Sequence, residues 1–123
     1  MTGKDEKAQV LSECLGKAQQ ILKLIEYASD SIVSKTLLDK SAGTITLFTF
    51  DKGQKLTEHT SPYDAVVQIL DGKARLTIGG KQKEVSQGQI IIMPANVPHA
   101  VQLLSEYVRI IDTFTPIRTE FLK

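Results

Sequence analysis

From residue 31 to residue 114 the chain is a succession of short runs in which apolar residues recur at every second position, each run closed by turn residues. A period of two sends alternate side chains to opposite faces of an extended strand, so this stretch must fold as sheet with one face buried. The runs are Ile32–Leu38, Thr44–Asp51, Lys55–Thr60, Ala65–Leu70, Ala74–Ile78, Gln82–Val85, Gln89–Met93, Pro98–Leu104 and Tyr107–Phe114. Between them, Asp71-Gly72 and Gly79-Gly80 supply residues that tolerate positive φ, as two-residue hairpin turns require. Short strands at intervals of about ten residues predict an antiparallel sandwich or closed barrel rather than alternating βαβ units. The expectation is one all-β domain of nine or ten strands.

Ahead of the strands the period changes. Leu11, Cys14, Leu15, Ala18, Ile21, Leu22 and Ile25 recur every three or four residues, with Lys7, Lys17, Gln19, Gln20 and Lys23 between them. That spacing predicts one amphipathic helix from Asp5 to about Tyr27, docked on the domain or on a partner subunit. The chain therefore divides into an N-terminal helical segment, 1–30, and a barrel domain, 31–123. Cys14 lies on the apolar side of this helix and reads as a packed thiol.

At 123 residues the chain has the size of one domain, and 41% hydrophobic residues are enough for a core. Fifteen Lys and Arg balance fourteen Asp and Glu, for a net charge of +1, which argues against a nucleic-acid footprint. Lys73, Arg75, Lys81 and Lys83 flank the Gly79-Gly80 hairpin and read as charged protection of exposed strand surface. The charged start of the chain lacks an apolar signal core, and the longest apolar run, Ile90 to Met93, is far below a membrane span. A soluble, cytoplasmic protein without membrane or nucleic-acid partners is expected. One cysteine and two histidines leave few soft metal ligands, so any metal site must use both histidines.

Two segments carry the chemistry. The first runs from Gly53 through His59, Ser61, Pro62, Tyr63, Asp64 and Ala65 to Gly72; the second runs from Gly88 through Pro94 and Asn96 to His99. Here the chain resembles the cupin family. That family's first motif is a glycine, five residues, His, one residue, His, three or four residues, Glu, six residues and a glycine. Gly53, His59 and Gly72 fit this frame. Its second motif is a glycine, five residues, Pro, one residue, Gly, two residues and His, on which Gly88, Pro94 and His99 fall, with Asn96 in place of the glycine. Asparagine tolerates the left-handed conformation that such a corner needs. The resemblance implies a double-stranded β-helix, or jelly-roll, barrel that pairs as a homodimer. Ser61 stands where the family usually has its second histidine, and Ala65 where it has the glutamate, so two of four customary metal ligands are absent.

Strand alternation sends His59 and Ser61 to one face, continued by Ala65, Val67 and Ile69, while His99, Val101 and Leu103 face inward from another strand. In a small barrel the two histidines converge in a mouth lined mainly by aliphatic side chains, with Tyr63 at its lip. Three readings of the pair stay open: a site for a divalent ion (Fe, Mn, Zn or Ni), two hydrogen-bonding groups in a pocket, or a general base in which His59 or His99 works with Asp64. The corresponding functions are an oxygenase-type metalloenzyme, a binder of a small and largely apolar molecule in the barrel, and a metal-free isomerase or lyase. The aliphatic lining favours the binder. Serine-hydrolase, nucleotide-hydrolase and zinc-protease motifs are absent from the sequence.

Overall fold

A computed structural model describes residues 9–114. It contains ten strands: β1 Gln9–Val10, β2 Ile32–Lys40, β3 Gly43–Phe50, β4 Lys55–His59, β5 Ala65–Asp71, β6 Lys73–Ile78, β7 Lys81–Ser86, β8 Ile90–Met93, β9 His99–Leu103 and β10 Val108–Phe114. All pairings are antiparallel, and they build a six-stranded sheet ordered β1-β2-β3-β10-β5-β8 and a four-stranded sheet ordered β4-β9-β6-β7. The nine strands expected from the sequence are present with bounds shifted by at most two residues; β1 is added to them.

The two sheets bury one core. Phe50, Val67, Ile69, Leu76, Val101, Val108 and Ile110 come from both sheets into a single buried cluster. The alternation that predicted the strands also explains their sides: on β10, Val108, Ile110 and Asp112 are buried while the residues between them are half-buried.

Over residues 9–27 the expected N-terminal helix does not form; its first part, residues 5–8, lies outside the described residues. Among the described residues this segment holds only two single turns of 3-10 helix, Ser12–Cys14 and Ile21–Lys23, joined by extended chain. Gly16 takes φ +69°, outside the helical region, between the two halves of the apolar pattern. Leu15 is 66% exposed, so the seven apolar residues do not share one buried stripe. The segment instead runs across the outer face of the six-stranded sheet and satisfies its backbone there. The Leu11 N–H donates to Leu37 O at 2.9 Å, Lys35 Nζ to Leu24 O at 3.0 Å, and Thr49 Oγ1 to Glu26 O at 3.2 Å. Leu47 and Thr49 point away from the core cluster and are nonetheless fully buried.

Tyr27 fastens this cover. Its hydroxyl donates to Asp71 Oδ2 at 2.9 Å, and Arg109 Nη1 donates to the same oxygen at 3.2 Å. The Arg109 guanidinium lies 4.5 Å above the Tyr27 ring, whose other neighbour is Tyr107 at 4.8 Å between centroids. Burial, and then the hydrogen bond to the Asp71 carboxylate, push the Tyr27 phenol above its ordinary range.

The two expected hairpin turns differ in kind. Gly79-Gly80 joins β6 to β7 with Ile78 opposite Lys81, a two-residue hairpin. Asp71-Gly72 is not a hairpin turn, because β5 belongs to the six-stranded sheet and β6 to the four-stranded one. The chain changes sheets here and passes close to the β9–β10 connection. A methyl group on Gly72 would collide with the Tyr107 carbonyl oxygen and come within 2.6 Å of Ser105 Oγ, at a φ of +87°. Gly80, at φ +81°, faces open space. Gly80→Ala should therefore cost about 1–2 kcal/mol, the conformational penalty alone, whereas Gly72→Ala should cost roughly 3 kcal/mol or more, because collision adds to it. Urea unfolding of both variants checks this; equal losses would contradict the close approach.

Candidate functional site

The register of β4 against β9 places His59 directly opposite His99, after an irregularity between Leu56 and His59. The ring centroids are 4.3 Å apart with planes at 69°, an edge-to-face pair. His99 is buried, with 5% exposure, and His59 is exposed. Each ring is oriented by its own strand end: His59 Nδ1 lies 2.8 Å from Thr57 O, and His99 Nδ1 lies 3.2 Å from Val97 O. A carbonyl oxygen only accepts, so each Nδ1 carries the hydrogen, and the neutral ring is left with Nε2 as an acceptor.

Both histidines line a cavity of about 530 Å³ between the two sheets. Its walls are apolar, from Phe48, Leu56, Val67, Ile69, Leu76, Met93, Val101, Ile110 and Phe114. Lys40, Ser41, His59 and Tyr63 combine lining with exposure and so mark the opening. The Tyr63 ring stands 6.2 Å from Phe114, edge to face.

Of the residues singled out in the sequence, His59, His99, Ser61, Tyr63, Val67, Ile69 and Val101 meet around this cavity. Ala65 is buried in the core and Leu103 packs against it, but neither lines the cavity. Asp64 does not join the histidines there: it is exposed, and its Oδ1 accepts the Ala95 N–H at 2.8 Å, tying the β4–β5 connection to the turn before β9. Asn96 takes the left-handed conformation, φ +63°, and its N–H donates to Ser61 O at 2.7 Å, which holds the two motif segments together.

The donor set does not fit a resident metal. Among the described residues no three side chains of His, Cys, Asp or Glu are grouped to hold an ion. Two imidazoles fall short of the three protein ligands that catalytic zinc and facial-triad iron sites use.

Strand alternation did not single out one residue of the site. Asp112, in the middle of β10, lies opposite Thr46 of β3 and Val67 of β5 and lines the cavity from the six-stranded sheet. It is 7% exposed, and among the described residues its Oδ1 has no hydrogen-bond partner. The signal was available: Asp112 falls on the inward register of Val108, Ile110 and Phe114, where an apolar residue is expected.

A family model describing the cupin domain matches residues 46–114. The chain is a cupin. A crystal structure of a conserved Streptococcus pyogenes protein of unknown function is 32% identical, with a TM-score of 0.80 over 90% of this chain and 95% of that one. A cupin 2 conserved barrel domain protein from Leptotrichia buccalis is 35% identical, with a TM-score of 0.73 over 76% of this chain and 45% of that one. An uncharacterized protein of Streptomyces coelicolor is 27% identical over 73 residues, which is 59% of this chain and 70% of the relative. In this cupin Ser61 lines the cavity together with the two histidines, and Ala65 is buried in the core.

Burial pushes the Asp112 carboxyl up to about 6. The folded chain thus holds this proton at pH values where the unfolded chain has released it. Stability should fall as pH rises from about 4 to about 6 and then level off, the charged form costing roughly 3 kcal/mol. Asp112→Asn should lack this component. The difference in unfolding free energy between wild type and variant, measured by urea titration across that range, checks it; a pH-independent difference would refute a strained carboxylate.

Proposed function

We propose that this cupin is a binding protein whose barrel takes a small, largely apolar molecule. The observation that carries the reading is the cavity itself. Its volume of about 530 Å³ lies in the range of small-molecule sites, and its walls are aliphatic and aromatic with a few polar groups at defined points. An apolar body filling it gains burial, while the Nε2 acceptors of His59 and His99 near the opening and the Asp112 carboxylate on the opposite sheet can orient polar ends. The oxygenase reading draws no support from a two-imidazole donor set. The isomerase or lyase reading keeps one favourable observation, an Nε2 on each ring left as an acceptor by the Nδ1 contact, but loses its second member because Asp64 is engaged elsewhere.

Binding to the native state alone raises stability, by about 2.7 kcal/mol at a ligand concentration one hundred times Kd. A panel of apolar probes, including an anilinonaphthalene dye and phenylalkyl compounds, should therefore contain members that raise the melting temperature. Val101→Trp, which places an indole in the cavity, should abolish the shift. If no probe shifts the transition, or if the Trp variant responds as the wild type does, the barrel is not the binding site.

We propose further that two copies pair at β8, the edge of the six-stranded sheet, where Ile90 and Ile92 are 61% and 60% exposed beside unpaired backbone. Sedimentation should give a dimer for the wild type and a monomer for Ile92→Lys; a monomeric wild type rejects the pairing.

A further inference from the structure

The cavity holds one group that its walls do not explain. Asp112 is flanked on its own strand by Ile110 and Phe114, which share its face, and across the ladders by Thr46 and Val67. None of these neighbours carries a charge. The residue is more than nine-tenths buried, and among the described residues its Oδ1 is without a hydrogen-bond partner and none of the four ion pairs includes it. The ionisable groups that share the cavity are Asp39 and Lys40 at the end of β2, Tyr63 at the lip, and the two histidines across from it. A buried acceptor in that state destabilises the fold unless something supplies a donor.

The surroundings say what kind of donor. Phe48, opposite Ile110 on β3, and Phe114 line the same cavity as the carboxylate. Aromatic faces carry negative charge density and attract cations, as the carboxylate does. A neutral alcohol would satisfy Oδ1 but leave the charge; a carboxylic acid would add a like charge. An ammonium group supplies N–H donors and the opposite charge together.

Building on the cavity reading above, we propose that the barrel selects a protonated primary or secondary amine carried on an apolar body, with the ammonium seated on Asp112. The body fills the space between Val67, Ile69, Leu76 and Val101, and the amine end lies against the six-stranded sheet.

Three probes with one skeleton test this: phenylpropylamine, phenylpropanol and phenylpropanoate, titrated by calorimetry near pH 7.5, where Asp112 is mostly ionised. The amine should bind the wild type about tenfold or more tighter than the alcohol, the size expected of one charge-assisted hydrogen bond, and the acid should bind weakest. Asp112→Asn should bring amine and alcohol to equal affinity, and Asp112→Leu should favour the alcohol. The wild-type ranking decides the matter even if a variant fails to fold. If alcohol and amine bind the wild type equally, or Asp112→Asn keeps the amine preference, the assignment to Asp112 is wrong and the apolar cavity stands. If the dye binds but none of the three probes does, the amine class is likewise rejected. If neither dye nor probes bind, the cavity reading falls and this inference with it.

Discussion

Strand β10 is the constraint on which the rest of the molecule depends. It lies inside the six-stranded sheet, hydrogen-bonded to β3 along one side and to β5 along the other. Its inward residues Val108 and Ile110 belong to the core, and Asp112 and Phe114 form part of the cavity wall. Its outward Arg109 anchors Tyr27 through Asp71 and so holds the covering segment. One strand thus organises the hydrophobic interior, the cavity and the outer cover.

The barrel was legible because it is written in a period of two, and a half-buried strand leaves little freedom in that pattern: Ala65–Asp71 alternates buried and more open residues along its length. The meeting of His59 and His99 was legible for the same reason, since each lies on an inward register next to its motif proline or turn. The N-terminal segment was misread because its spacing of three and four is a local pattern, and tertiary partners outweighed it. Lys35, Leu37 and Thr49 offered hydrogen bonds to an extended chain, and Gly16 interrupts any helix. Asp71-Gly72 was misread because turn chemistry shows that the chain bends without showing whether the next strand returns to the same sheet. Asp112 was passed over because it lies outside the two motif segments, although the alternation of Val108, Ile110 and Phe114 already put it on the inward register, where its pairing with Thr46 and Val67 places it.

The site departs from a metal cage in a consistent way. With Ser61 and Ala65 at two motif positions, the strands that face the histidines contribute aliphatic surface, and the histidines keep hydrogen-bonding capacity at Nε2 because backbone carbonyls take Nδ1. The charge in the cavity sits instead on the opposite sheet. A group that weakens the fold while facing a cavity breaks the local rule that core registers are apolar.

The central place of β10 also orders events during synthesis. The β1-β2-β3 and β5-β8 parts of the six-stranded sheet are joined through that strand, and Tyr27, made long before, gains its cationic partner only when Arg109 follows it. Until β10 is placed, the core residues of β3 and β5 lack the strand that lies between them. Closing the six-stranded sheet therefore rests on long-range pairing, the regime in which folding is slow.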